Sequence, residues 1–89
     1  MQQREVTIIN KLGLHARAAA KLVNVATKYK SHIEIEKEGQ RVNGKSIMGV
    51  MMLAASQGSQ ILLLAEGDDA NESLDEMVQL INNYFDEEE

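Results

Sequence analysis

Four apolar residues in a row, Ile61-Leu62-Leu63-Leu64, constrain this chain more than any other feature. A strand-length run that is apolar at every position cannot alternate between core and water. It must lie centrally in a sheet, with little exposure on either face. The chain has 89 residues, with no proline- or glycine-rich linker to divide it, so one domain spanning 1–89 is expected. A domain of that size buries roughly 60 to 65% of the surface its unfolded form exposes, which leaves little room for a deep pocket. Chemistry is therefore expected at the surface.

The rest of the pattern supplies the partners of that run. Residues 5–9 are rich in β-branched side chains (Val6, Thr7, Ile8, Ile9) and read as a strand that ends near Asn10, Lys11 and Gly13. From Ala16 the period becomes helical, with Ala19, Leu22, Val23 and Ala26 on one face and Arg17, Lys21, Asn24 and Lys28 elsewhere. Residues 32–37 alternate, and Glu38-Gly39 turns them into a short strand over 41–43. Ser46 stands at the N-cap position of a short helix over 47–53, and Gly58 closes the turn before the strand over 60–66. Asp69 and Glu72 have capping-box spacing ahead of a second long amphipathic helix carrying Leu74, Met77, Val78 and Ile81. The order β-α-β-β-α-β-α predicts an α+β fold, a two-layer open-faced sandwich. A four-stranded, mostly antiparallel sheet would be covered on one face by three helices.

Composition excludes several functions. Nine Lys and Arg against fourteen Asp and Glu give a net charge of −5, much of it from the acidic tail over 86–89, so nucleic acid is not an expected partner. One Phe, two Tyr and no Trp offer no stacking platform for bases. The absence of cysteine rules out disulfides and thiolate metal sites and fits a reducing cytosol. Residues 1–5 carry no apolar signal core, and no apolar run approaches the roughly 20 residues of a membrane span. A cytoplasmic monomer is expected, with no cofactor and no metal. The acidic tail reads as a solvated segment.

The segment Gly13-Leu14-His15-Ala16-Arg17 places a histidine just before a helix. As N-cap, His15 would hold a phosphoryl group against the unpaired N–H groups of Ala16 and Arg17 and the positive end of the helix dipole. The Arg17 guanidinium adds charge and hydrogen bonds for phosphoryl oxygens. A neutral imidazole nitrogen is a competent nucleophile near physiological pH. Taken locally, a surface histidine preceding a helix by chance fits the same pattern. His32 reads as a surface or edge residue without a suitably spaced partner, and two lone histidines make a poor zinc site.

Asn10-Lys11-Leu12-Gly13-Leu14-His15-Ala16-Arg17, together with Asn43-Gly44-Lys45-Ser46-Ile47-Met48, resembles the two signatures of the histidine-containing phosphocarriers (HPr) of the bacterial phosphotransferase system. The likeness runs over essentially the whole chain. It implies that His15 accepts phosphate from phosphorylated enzyme I and passes it to an enzyme IIA-type protein, with Arg17 assisting both steps. It also implies that Ser46 is a regulatory serine for an ATP-dependent kinase and a phosphorylase. Many family members carry proline at the position of Ala18, a mild change in a first helical turn. Asn24 and Thr27, where sugar-branch members often have lysine, and the ending Tyr84-Phe85 look more like the nitrogen-related branch (NPr).

Two alternatives compete with a phosphocarrier. Gly39 to Ser46 fits the letters G-x-x-x-x-G-K-S of an ATP-binding P-loop. That fold, however, needs a parallel sheet with crossovers of about 30 residues or more each, which this chain cannot supply. The other alternative is a non-catalytic interaction module. The short helix has too many apolar residues for one stripe, so Val50 and Leu53 are assigned to the core. Ile47, Met48 and Met51, with Lys45 nearby, then form a partner-binding patch.

Overall fold

A computed structural model describes residues 1–87. The elements are β1 (Gln2–Thr7), α1 (Ala16–Thr27), β2 (His32–Lys37), β3 (Gln40–Asn43), α2 (Ile47–Met52), β4 (Gln60–Glu66) and α3 (Ala70–Asn82), followed by a single tight turn, Tyr84–Asp86. The sheet order is β1-β4-β2-β3 and every pairing is antiparallel. The apolar run thus occupies an interior strand, paired to β1 on one edge and β2 on the other. Ile61 and Leu63 face the helices in the core. Leu64 is buried on the opposite face, flanked in register by Gln3 and Glu34.

Helices α1 and α3 cover the sheet with the stripes their spacing requires: Ala19, Leu22, Val23 and Ala26 from one, Leu74, Met77 and Ile81 from the other. Val50 and Leu53 are buried at α2 as assigned. Phe85, the single Phe, is fully buried and joins the same core from the C-terminal turn.

Two sequence expectations require correction. The first strand starts at Gln2 and ends at Thr7, because residues 2–4 are recruited by the ladder to Ala65, Leu64 and Leu63 regardless of their propensity. Ile8 instead exchanges hydrogen bonds with the turn before β4, donating to Ser59 O and accepting from Gly58 N. The Asp69 carboxylate does not cap its own helix. It accepts from the backbone N–H of Lys30 and Ser31 and from the Ser31 hydroxyl, which clamps the end of α1 to the start of α3. The hydroxyl bond, with the backbone donors, holds its carboxyl below the usual range.

Candidate functional site

The loop between β1 and α1 is held from both sides. Gly13 has φ +68°, and a Cβ there would stand 2.6 Å from Ala55 O, so the close approach to the segment after α2 needs glycine. Leu14 N donates to that same Ala55 oxygen at 2.8 Å, and the buried Asn10 amide donates to Gly13 O at 2.9 Å. Asn10 Oδ1 has no partner among the described residues. This loop delivers His15 in an extended conformation (φ −72°, ψ 175°) as the N-cap of α1, its carbonyl accepting from Ala19 N at 2.8 Å. The imidazole makes no capping bond to the first N–H groups of the helix.

Arg17 lies in the first turn with its side chain 74% exposed. Between it and His15 sits a residue that sequence reasoning missed. Glu87 Oε1 is 3.2 Å from His15 Nε2, and Glu87 Oε2 is 3.7 Å from an Arg17 guanidinium nitrogen. Both members of the His15–Glu87 pair are sheltered, at 25% and 19% side-chain exposure. The expectation of a solvated acidic tail therefore fails for Glu87, while Glu88 and Glu89 lie outside the described residues.

The backbone that brings Glu87 there is costly. Tyr84, Phe85 and Asp86 have φ of +57°, +55° and +62°, three consecutive left-handed residues without a glycine. Such residues cost roughly 1–2 kcal/mol each, whereas burying Phe85 returns only about 1.5–3 kcal/mol. The remainder comes from hydrogen bonds: Lys21 Nζ donates to Phe85 O at 2.7 Å, Asn83 Nδ2 to Asp86 Oδ1 at 2.9 Å, and Glu87 N to Tyr84 O at 2.9 Å. The buried Phe85, two residues before Glu87, was the available sequence signal that this end of the chain is anchored.

Ser46 caps α2 as expected, its Oγ accepting from Gly49 N at 3.0 Å. Lys45 Nζ donates to Tyr29 O at 2.7 Å, just past the C-terminal end of α1. Ile47, Met48 and Met51 are exposed, Met48 at 72%. Leu12 and Met52 are exposed as well, and Leu12 belongs to the loop that packs beside Ala55. Gly39 forms a hairpin turn with Glu38 between β2 and β3, which denies the Gly39 to Ser46 letters the geometry of a P-loop. His32 does have a partner: its Nε2 lies 3.0 Å from Glu34 Oε2, two positions along the same strand face. Among the described residues no cluster of His, Asp and Glu could hold a metal ion, and no helix is long and apolar enough to cross a membrane.

The chain has full-length counterparts. A family model described as "PTS HPr component phosphorylation site" matches residues 2–83. The phosphocarrier protein HPr of Pseudomonas putida is 52% identical over 90 residues, covering 100% of both chains. The phosphocarrier protein NPr of Shewanella violacea is 42% identical over 85 residues, covering 96% of this chain and 93% of that one. The crystal structure of HPr-C-His from Thermoanaerobacter tengcongensis matches with a TM-score of 0.96 at 48% identity, covering 100% of each chain.

Proposed function

The chain belongs to the HPr family of phosphotransferase-system phosphocarriers, and from that premise we propose that His15 is the residue that carries the phosphoryl group. The observation that carries this reading is His15 at the N-cap of α1, with its imidazole unused for capping and Arg17 in the first turn. Phosphorylated enzyme I is the donor. As the bond between the phosphoryl group and the donor breaks, a lone pair of the His15 ring forms the new N–P bond. The transferring group carries negative charge throughout, and little covalent chemistry is asked of the protein. The N–H groups of Ala16 and Arg17 and the Arg17 guanidinium supply oriented positive charge where the oxygens sit. Reversal of the same step onto an enzyme IIA-type protein completes the cycle.

In this reading the chain is a substrate of other enzymes rather than an enzyme, works as a cytoplasmic monomer and needs no cofactor. Its relatives bear both the HPr and the NPr names, and its ending and thin basic rim favour nitrogen-related regulation over sugar uptake. Ile47, Met48 and Met51 dock donor and acceptor alike, since exposed methionines adapt to different partner shapes. Ser46 is the regulatory position. A phosphate there would set about −2 charge beside that apolar face and weaken docking without unfolding the cap.

Incubation with enzyme I and labelled phosphoenolpyruvate tests the central reading. The chain should acquire acid-labile, alkali-stable label. Failure to label under conditions that phosphorylate the Pseudomonas putida relative would overturn it.

A further inference from the structure

We propose that Met48, Met51 and Met52 form an oxidation site, at which peroxide converts their thioethers to sulfoxides and so weakens docking at α2. The proposal rests on the reading of that face as the surface that meets donor and acceptor. The chain has five methionines and no cysteine, so thioethers are its only sulfur and no thiol competes for an oxidant. Three of the five fall within the six residues of α2, at i, i+3 and i+4, a spacing that sets their side chains on one stripe of the helix. Met48, Met52 and Met51 are 72%, 66% and 38% exposed, while Val50 of the same helix is fully buried. Met77 is fully buried in the core, out of an oxidant's reach. Met1 is exposed but precedes β1, at the opposite edge of the sheet from β3, the strand against which α2 packs. Exposure therefore directs the oxidant to the face where a change of polarity meets a partner.

The step is a two-electron oxygen transfer. A lone pair of the thioether sulfur attacks one oxygen of hydrogen peroxide, a sulfur–oxygen bond forms and the O–O bond breaks. The departing hydroxide takes the proton left on the transferred oxygen and leaves as water, so sulfur is oxidised and peroxide reduced with no further reactant. The product is polar but uncharged. In the free chain the sulfoxide oxygens stand in water and cost the fold little. Against a partner they must give up that water, a penalty the adaptable, apolar thioether does not carry. The change is reversible, because epimer-specific sulfoxide reductases return the thioether while a dithiol becomes a disulfide and the oxygen leaves as water.

The test treats the chain with dilute hydrogen peroxide, removes the oxidant and measures the Kd for enzyme I by calorimetry at two ionic strengths, with peptide mass spectrometry locating each sulfoxide. Sulfoxide should accumulate at Met48, Met51 and Met52 before any forms at Met77. The Kd should rise about five- to tenfold, the scale of burying a polar group without a partner. The factor should be the same at both ionic strengths, because no charge is added. The melting midpoint should hold, and treatment with the two sulfoxide reductases should restore the Kd. A variant carrying Met48→Leu, Met51→Leu and Met52→Leu keeps Met1 and Met77, and whatever its own affinity, its Kd should not move on treatment. Sulfoxide at Met77 ahead of α2, an unchanged Kd in the oxidised parent, a rise that vanishes at the higher ionic strength or an equal rise in the leucine variant would each overturn the proposal. Met48→Glu, kept from peroxide, separates the premise. An unchanged Kd there removes the docking reading and the proposal with it, whereas a raised Kd there beside an unaffected oxidised parent removes the oxidation site alone.

Discussion

His15 and His32 each set Nε2 close to a glutamate oxygen, at 3.2 and 3.0 Å, yet the two pairs are assembled in opposite ways. Glu34 is two residues from His32 on the outer face of the sheet, where that ring is 59% exposed and Arg41 bonds both Glu34 and Glu36. Glu87 is 72 residues from His15 and arrives through a buried aromatic and a strained turn. The first pair is what alternation on a strand produces at almost no cost. The second adds a helix terminus that the His15 side chain does not cap and an exposed guanidinium in reach. A histidine beside a carboxylate is thus not in itself a transfer site. The surroundings that can hold a dianionic group distinguish the two.

The largest effect should come from exchanging the two histidines' fates. His15→Ala should accept no phosphate from enzyme I, whereas His32→Ala should label like the parent. Label retained in the His15 variant would erase the contrast. Arg17→Ala should rank next, slowing transfer to and from the chain by about 10²-fold, the scale on which a single oriented donor to a charged transition state acts. Its stability should change by no more than about 0.5 kcal/mol, as for exposed positions generally. Thermal melting beside single-turnover transfer separates these, and a matched loss of both would make Arg17 structural.

The same contrast explains what the sequence made legible. His15 as N-cap, the start of α1 at Ala16 and the Ser46 cap depend on residues within one helical turn, so local pattern was enough. The interior place of β4 followed from its unbroken apolar run. Asp69 was misread because its spacing to Glu72 mimics a capping box, while its partners Lys30 and Ser31 lie 39 and 38 residues away. Glu87 escaped for the same reason over a longer span. His32–Glu34 is different: positions i and i+2 share a strand face, and that pairing could have been read from the alternation itself.

The two histidines also differ in the surfaces around them, and a substitution on those surfaces should have a smaller effect than one at Arg17. Met48, 72% exposed on α2, is proposed to dock partners for His15, and no such role is proposed for the outer sheet face around His32. Met48→Glu should raise the Kd for enzyme I roughly 10- to 30-fold, as expected when a contact worth about 2 kcal/mol is lost. Its melting midpoint should stay close to the parent's. Glu36→Lys, which reverses charge on the sheet face, should leave that Kd unchanged. Shifts of that Kd in opposite directions, with the larger change from Glu36→Lys, measured by calorimetry at fixed ionic strength, would mean that general charge and not the apolar face governs docking.

The smallest effect belongs to the Glu34 carboxylate itself. Its pKa is held below the ordinary glutamate range, first by the hydrogen bond from His32 and then by the charges of His32 and Arg41, with burial opposing. A carboxylate favoured in the folded state binds protons less readily there than in the unfolded chain. Its stabilisation is therefore fully present above the unfolded value near pH 4.3, and is lost as pH falls through the lower folded value. Glu34→Gln, which cannot ionise, should be less stable than the parent just above that range by under about 1 kcal/mol, the scale of exposed ion pairs. The two proteins should converge in stability as acid protonates the parent. Urea unfolding across that pH interval measures the difference, and a gap that widened on acidification would reverse the sign assigned to Glu34. Labelling of the Glu34→Gln protein at His15 should match the parent throughout, because the pair sits on the far side of the sheet from the helix terminus. A loss of labelling there would show that the two histidine sites are coupled, and the contrast between an incidental pair and a functional one would have to be abandoned.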